Sequence, residues 1–227
     1  MDLHSDQDRD YPIGCIGCMA KTPPAGEPPV PLRFIAWNVQ LLPHLEESSL
    51  WRQFDFSSQS FLPPNKAVGT NVLSVFLCPS TESEELFSTK GLWRGMAFTD
   101  YGGIYGVEGP GHDVDSEDAN VSQWLRHESL GVMLYEEPVT RKQVTDGLSK
   151  TASIGEASAR RLSQETEWVN GHNLFAQEAS TPINGPAVQI NEIGSPHPGG
   201  ASLAFCDGHV EFVAETIDQA LLNAMLT

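Results

Sequence analysis

Positive charge is scarce in this chain. Only 13 Lys and Arg stand against 30 Asp and Glu, a formal net charge of -17 over 227 residues. Such a surface repels a phosphate backbone and an anionic bilayer, which argues against nucleic acid and against a membrane surface as partners. Also lacking is any apolar run near the ~18 residues that a bilayer span needs. No secretory leader is recognisable at the start, so the chain as it stands is expected to be soluble. Catalytic signatures are missing too. There is no G-x-S-x-G elbow, no spacing that singles out a Ser-His-Asp triad, and Gly199-Gly200 lacks the lysine of a phosphate-cradling loop. No internal repeat is visible.

Cysteine is sparse, with Cys15, Cys18, Cys78 and Cys206. An even number fits two disulfides, but spacing does not give the pairing. Cys15 and Cys18 form a C-x-x-C inside a Gly/Pro-rich stretch followed by Pro23, Pro24, Pro28, Pro29 and Pro31. A redox C-x-x-C opens a helix after a strand, and no helix follows here. A zinc site of the paired-cysteine kind needs a second C-x-x-C, which Cys78 and Cys206, standing singly, do not form. A structural disulfide or free thiols is the expectation.

What is present suits a folded core. Hydrophobic residues make up 40% and charged residues 19%, a globular composition. The 20 glycines and 16 prolines break long helices, so short elements joined by long loops are expected. Residues 1–31 read as an extended lead-in and residues 32–227 as one domain. Phe34 to Leu42 is apolar, and periodicity leaves helix or buried strand open. Glu46 to Phe54 predicts a helix with acids in its first turn and Leu50, Trp51 and Phe54 on one face. Asn65 to Val72 predicts a helical turn. Val75 to Cys78 predicts a strand stopped by Pro79. Tyr101 to Gly106 has the glycines of a bulged strand. Gly131 to Glu136 and Lys150 to Glu156 read as strands, and Val139 to Asp146 as a turn of helix. Ala201 to Cys206 and His209 to Val213 flank Asp207-Gly208, the strongest hairpin signal in the chain. Ile217, Leu221, Leu222 and Met225 form one stripe of a final helix. Helices, then scattered antiparallel strands, then a hairpin and a helix make an α+β order.

Three constellations are candidates for chemistry. His197 with Asp207 is one, as a metal site or an acid/base pair. If Asp207 sits on a hairpin tip, nothing in the sequence brings the two together, and the expectation is turn-making. Asp146-Gly147, with Thr145, Ser149 and Thr151, reads as another turn. Asp113, Asp115, Asp118 and Asn120 present oxygens at a spacing that suits Ca2+, although the Gly and distal Glu of an EF-hand are missing. Trp37, Trp51, Trp93, Trp124 and Trp168 read as core anchors before they read as a sugar-binding surface.

Six segments carry a resemblance. His197 and Asp207-Gly208 enclose nine residues. Leu41-Leu42-Pro43-His44-Leu45-Glu46, Phe76-Leu77-Cys78-Pro79-Ser80, Thr99-Asp100-Tyr101-Gly102-Gly103, and Thr145-Asp146-Gly147 through Thr151 with Glu156 follow in order, after Leu3-His4 and Tyr11-Pro12-Ile13-Gly14. Together they resemble the prepilin-type H-x9-DG family of bacterial proteins, whose function is unassigned and whose older label is solute-binding-like. Lys150 stands where that pattern has Asn, and His209 where it has Ser. The resemblance implies a pilin-like head, an antiparallel sheet with long loops and short helices, held in a membrane or filament by an N-terminal helix absent from this chain. It implies an extracytoplasmic place in the cell envelope, with other pilin-like subunits or envelope proteins as partners, and no catalysis. His197, Asp207, Gly208, Asp146 and Gly147 are then structural motif residues. A second reading is an envelope module that binds a sugar or Ca2+, and a hydrolase is a third. No cofactor other than Ca2+ is expected.

Overall fold

A computed structural model describes residues 10–20, 28–81, 85–109, 127–158, 160, 166–185 and 192–227. The chain runs through β1 (Cys15–Ile16), β2 (Ile35–Ala36), α1 (Trp37–Leu41), α2 (Ser48–Gln53), α3 (Asn65–Gly69), β3 (Tyr101–Glu108), β4 (Ala152–Glu156), β5 (Leu174–Glu178), β6 (Gly200–Phe205), β7 (Val210–Ala214) and α4 (Gln219–Met225). Five strands form one sheet in the order β5-β3-β4-β6-β7, and β1 pairs with β2 in a small second one. The architecture is α+β, with open sheets and short helices. All pairs are antiparallel except β3 with β5, which runs parallel with a bulge between Ile104 and Gly106.

Asp207-Gly208 turns the chain between β6 and β7 as its residue types require. The Phe205 N–H donates to the His209 carbonyl and the Gly208 N–H to the Phe205 carbonyl, both at 2.9 Å. Gly208 takes φ +95°, a conformation that costs a side chain with Cβ about 1 kcal/mol or more. The open question at Phe34 to Leu42 resolves as both forms in sequence. Ile35–Ala36 is strand and Trp37–Leu41 is helix, and Pro43 in the 3-10 turn Leu42–His44 stops the α ladder.

Two expected strands are not strands. Residues 74–76 form a 3-10 turn, and Val75 is 52% exposed. Asp100 replaces a ladder partner here: its N–H donates to the Phe76 carbonyl at 2.9 Å, and its Oδ2 accepts the Cys78 N–H at 2.8 Å. Residues 131–136 follow the β3 bulge without a ladder, through Gly131 N–H to Tyr105 O at 2.7 Å and Met133 N–H to Ile104 O at 3.1 Å. The final helix also differs in face. Asp218 caps α4 by accepting from Leu221 N. Leu222 and Leu226 are fully buried, while Leu221 is 53% exposed.

The core has two main parts. One lies under the helical half and includes Ile35, Val39, Leu42, Phe76 and Trp168. The other lines the sheet and α4 and includes Ile104, Phe175, Leu203, Phe205, Leu222 and Leu226. Each such large side chain contributes about 1.5–3 kcal/mol on burial. Close approach selects glycine where β3 meets β5: a Cβ on Gly103 would lie 2.6 Å from Leu174 Cδ2. The lead-in is tied to the body. Tyr11 is buried, and its hydroxyl donates to the Cys206 carbonyl at 2.7 Å. Among the described residues, no helix is long and apolar enough to cross a membrane.

Candidate functional site

Four chain segments meet at the seam between the two core parts. Phe76 anchors the first segment in the helical core, and Cys78 follows it. The second is Thr99 to Tyr101, leading into β3. The third is the end of β4, where Glu156 pairs with Tyr101 across the ladder. The fourth is the loop 195–200 that feeds β6. Backbone bonds hold the seam: Ala157 N–H to Asp100 O at 2.8 Å, and Gly194 N–H to Glu156 O at 3.0 Å.

Side chains from three of these segments converge. His197 Nε2 lies 3.3 Å from Cys78 Sγ and 3.2 Å from Glu156 Oε1. The three ligand atoms all fall within 4.8 Å of one another. Glu156 is 2% exposed and Cys78 4%, while the His197 side chain is 31% exposed and opens the cluster to solvent.

Each member is held by further contacts. Glu156 Oε2 accepts the Ser202 N–H at 2.6 Å. Cys78 is fixed through its N–H by Asp100. The His197 N–H donates to Ser195 Oγ at 3.1 Å, and that hydroxyl donates to the Gly200 carbonyl at 2.7 Å, closing the loop. Asn184 braces the same loop, accepting the Ser195 N–H at 2.8 Å. The Phe212 ring stands nearly perpendicular to the imidazole, at 80°, with centroids 6.3 Å apart.

Burial and the neighbouring carboxylates disfavour further negative charge here. Burial first, and then the Glu156 carboxylate, push the Cys78 thiol up, against the Ser80 N–H and the Thr81 hydroxyl that favour the thiolate. Burial, together with Cys78, Glu156 and Asp100, pushes the neighbouring Tyr101 hydroxyl up to about 12. A free thiol so disfavoured as thiolate is a poor nucleophile. The geometry is also not that of a relay, in which the acid holds the far imidazole nitrogen. Here sulfur and carboxylate face the same Nε2.

The other candidate residues lie elsewhere. Asp207 is at the hairpin tip, where its carboxylate accepts the His209 N–H at 3.1 Å and meets His209 Nδ1 at 2.5 Å. The structure does not bring it to His197. Asp146-Gly147 makes a turn with Gly147 at φ +107°. That turn packs on the hairpin through Asp207 N–H to Leu148 O at 3.1 Å and Cys206 N–H to Thr151 O at 2.9 Å. Cys15 and Cys18 are joined in a disulfide. Cys78 and Cys206 are both free and buried. They sit apart, Cys206 packing beside Tyr11, Val132 and Val139 with its thiol pushed up to about 12, chiefly by burial. Asp113, Asp115 and Asp118 lie outside the described residues, as does Trp124. Trp37 and Trp168 are core residues, as their type suggests.

The spacing of residues 78, 156 and 197 carries no signal, so sequence reasoning placed Cys78 only among disulfide candidates and gave Glu156 no role. The one available pointer was that all three lie in segments that carry the family resemblance. Comparison with known proteins supports part of that resemblance. The SBP_bac_10 family, described as a protein of unknown function (DUF1559), matches residues 3–177 and 161–220. No curated protein and no solved structure matches the chain.

Proposed function

The chain belongs to the SBP_bac_10 family, whose function is unknown, and from that premise we propose that it is the head of a prepilin-like structural protein that works by association and not by catalysis. The observation that carries this reading is the outer edge of the large sheet. β7 is the last strand in the order, and Val210 and Phe212 on it are 66% and 50% exposed. An edge strand offers unpaired N–H and C=O groups to another chain, and exposed apolar side chains there add affinity and register. The partner is another pilin-like subunit or an envelope protein. The Cys15–Cys18 disulfide favours an oxidising, extracytoplasmic compartment. The residues of the H-x9-DG pattern support the same hairpin: Asp207-Gly208 turns it, and the loop carrying His197 feeds its first strand.

The test is association of the full chain, followed by sedimentation over a wide concentration range and by cross-linking in a bacterial envelope preparation. Val210→Lys, at an exposed edge position, is expected to abolish the assembly or the cross-link while leaving the melting temperature within a few degrees. Wild-type protein that stays monomeric and uncross-linked throughout would overturn the proposal, as would a Val210→Lys variant that associates like wild type.

A further inference from the structure

We propose that Cys78, Glu156 and His197 form a site for one tetrahedral divalent transition-metal ion, with Zn2+ as the best fit. This stands independently of the association reading, since a metal could brace the head whether or not the head polymerises.

The donor set is the first argument. A thiolate, a carboxylate and a neutral imidazole carry two negative charges together, which cancel a divalent cation in a buried place. Binding would displace the thiol proton to solvent, and the sulfur–metal bond would take its place. Sulfur and nitrogen ligands select against Ca2+ and Mg2+, which take oxygen.

The second argument is distance. Bonds of about 2.0–2.3 Å at tetrahedral angles set neighbouring ligand atoms roughly 3.3–3.6 Å apart. The observed separations of 3.3 Å for sulfur to nitrogen and 3.2 Å for nitrogen to oxygen lie at or just below the short end of that range, and all three donor atoms fall within 4.8 Å of one another. Three protein ligands leave the fourth position to water, on the side where His197 reaches solvent.

The third argument is support around the ligands. The Ser202 N–H on Glu156, the Asp100 carboxylate on the Cys78 N–H, and Ser195 with Phe212 around His197 fix all three before any ion arrives. Such outer contacts orient ligands and tune affinity. A bound ion would tie together residues 76–78, the end of β4 and the loop into β6, adding to the contacts already described between them.

The full chain, stripped of metal by a chelator, would be titrated with Zn2+ by calorimetry and with Co2+ by absorption. One equivalent is expected, with a thiolate-to-cobalt charge-transfer band in the near ultraviolet and intense tetrahedral bands in the visible. A hundredfold excess of Zn2+ over its Kd is expected to raise the melting temperature by roughly 5–10 °C for a domain of this size. Cys78→Ser and His197→Gln should each weaken binding by more than the ~10–100-fold typical of outer-shell changes, and Cys78→Ser should erase the charge-transfer band. Cys206→Ala, at the other buried thiol, should leave both readings as in wild type. His197 is the most exposed of the three, so His197→Gln decides the matter if Cys78→Ser does not fold by circular dichroism. No stoichiometric binding, octahedral cobalt without a sulfur band, or equal affinity in wild type and His197→Gln would each overturn the proposal.

Discussion

Glu156→Ala separates a carboxylate that ties the end of β4 to β6 from one that is merely buried. Glu156 is 2% exposed, and its Oε2 accepts the Ser202 N–H at 2.6 Å. Losing a hydrogen bond to a charged group costs about 1.5–3 kcal/mol. The one side-chain methylene removed adds about 1 kcal/mol through lost burial and an imperfectly closed space. The His197 contact adds little, because that imidazole is 31% exposed and solvent screens it. The expected loss is therefore about 3 kcal/mol, or roughly 6–12 °C in melting temperature for a domain of this size. Glu156→Gln keeps an acceptor for the Ser202 N–H and should lose only about 1 kcal/mol. Urea unfolding with chelator present reads both variants in the metal-free protein, and the m-value should match wild type. The reasoning is refuted if Ala costs under about 1 kcal/mol, or if Gln costs as much as Ala, since then the hydrogen bond is not what matters.

Tyr11→Phe removes the hydroxyl that donates to the Cys206 carbonyl at 2.7 Å across most of the chain. It should cost about 1–2 kcal/mol in urea unfolding; an unchanged midpoint would mean that the lead-in is no part of the cooperative unit. The Asp207 carboxyl is held below its ordinary value of 3.8 by the His209 N–H first and then by the imidazole. A lowered folded-state pKa gives stability that is present above about pH 4 and is lost as pH falls through the folded value. Carbon-detected NMR should therefore show Asp207 titrating below 3.8, and Asp207→Asn should flatten the loss of stability on acidification; a midpoint at or above 3.8 would contradict the turn's hydrogen bonds.

Parts of the fold were legible because their causes are local. Asp207-Gly208 marked the hairpin through the positive φ that its second residue needs. Pro43 marked the end of α1, since it cannot donate to an α ladder. Lys150 to Glu156 and Glu46 to Phe54 announced β4 and α2 through short-range patterning; the residues at their ends shifted by one or two positions, so Glu46 and Glu47 stand ahead of α2 and its first turn holds no acid. Val75 to Cys78 and Gly131 to Glu136 looked like strands for the same local reasons. Both were decided by neighbours far along the chain: Asp100 takes the ladder positions beside Phe76 and Cys78, and the β3 bulge takes up residues 131–133. The stripe of the last helix was misread at Leu221 because the packing of α4 on the sheet, not periodicity alone, selected Leu222 and Leu226.

The sequence by itself determined the acidic charge, the turns, the short elements and the α+β order, because turn chemistry and side-chain periodicity act over a few neighbouring residues. The tertiary structure alone decided that Cys78, Glu156 and His197 share one buried corner while Asp207 stands away from it. Their convergence depends on the pairing of β3, β4 and β6 and on an Asp100 clamp between segments distant in the chain. Such contacts leave no spacing to read, since each partner is positioned by the packing of a different segment.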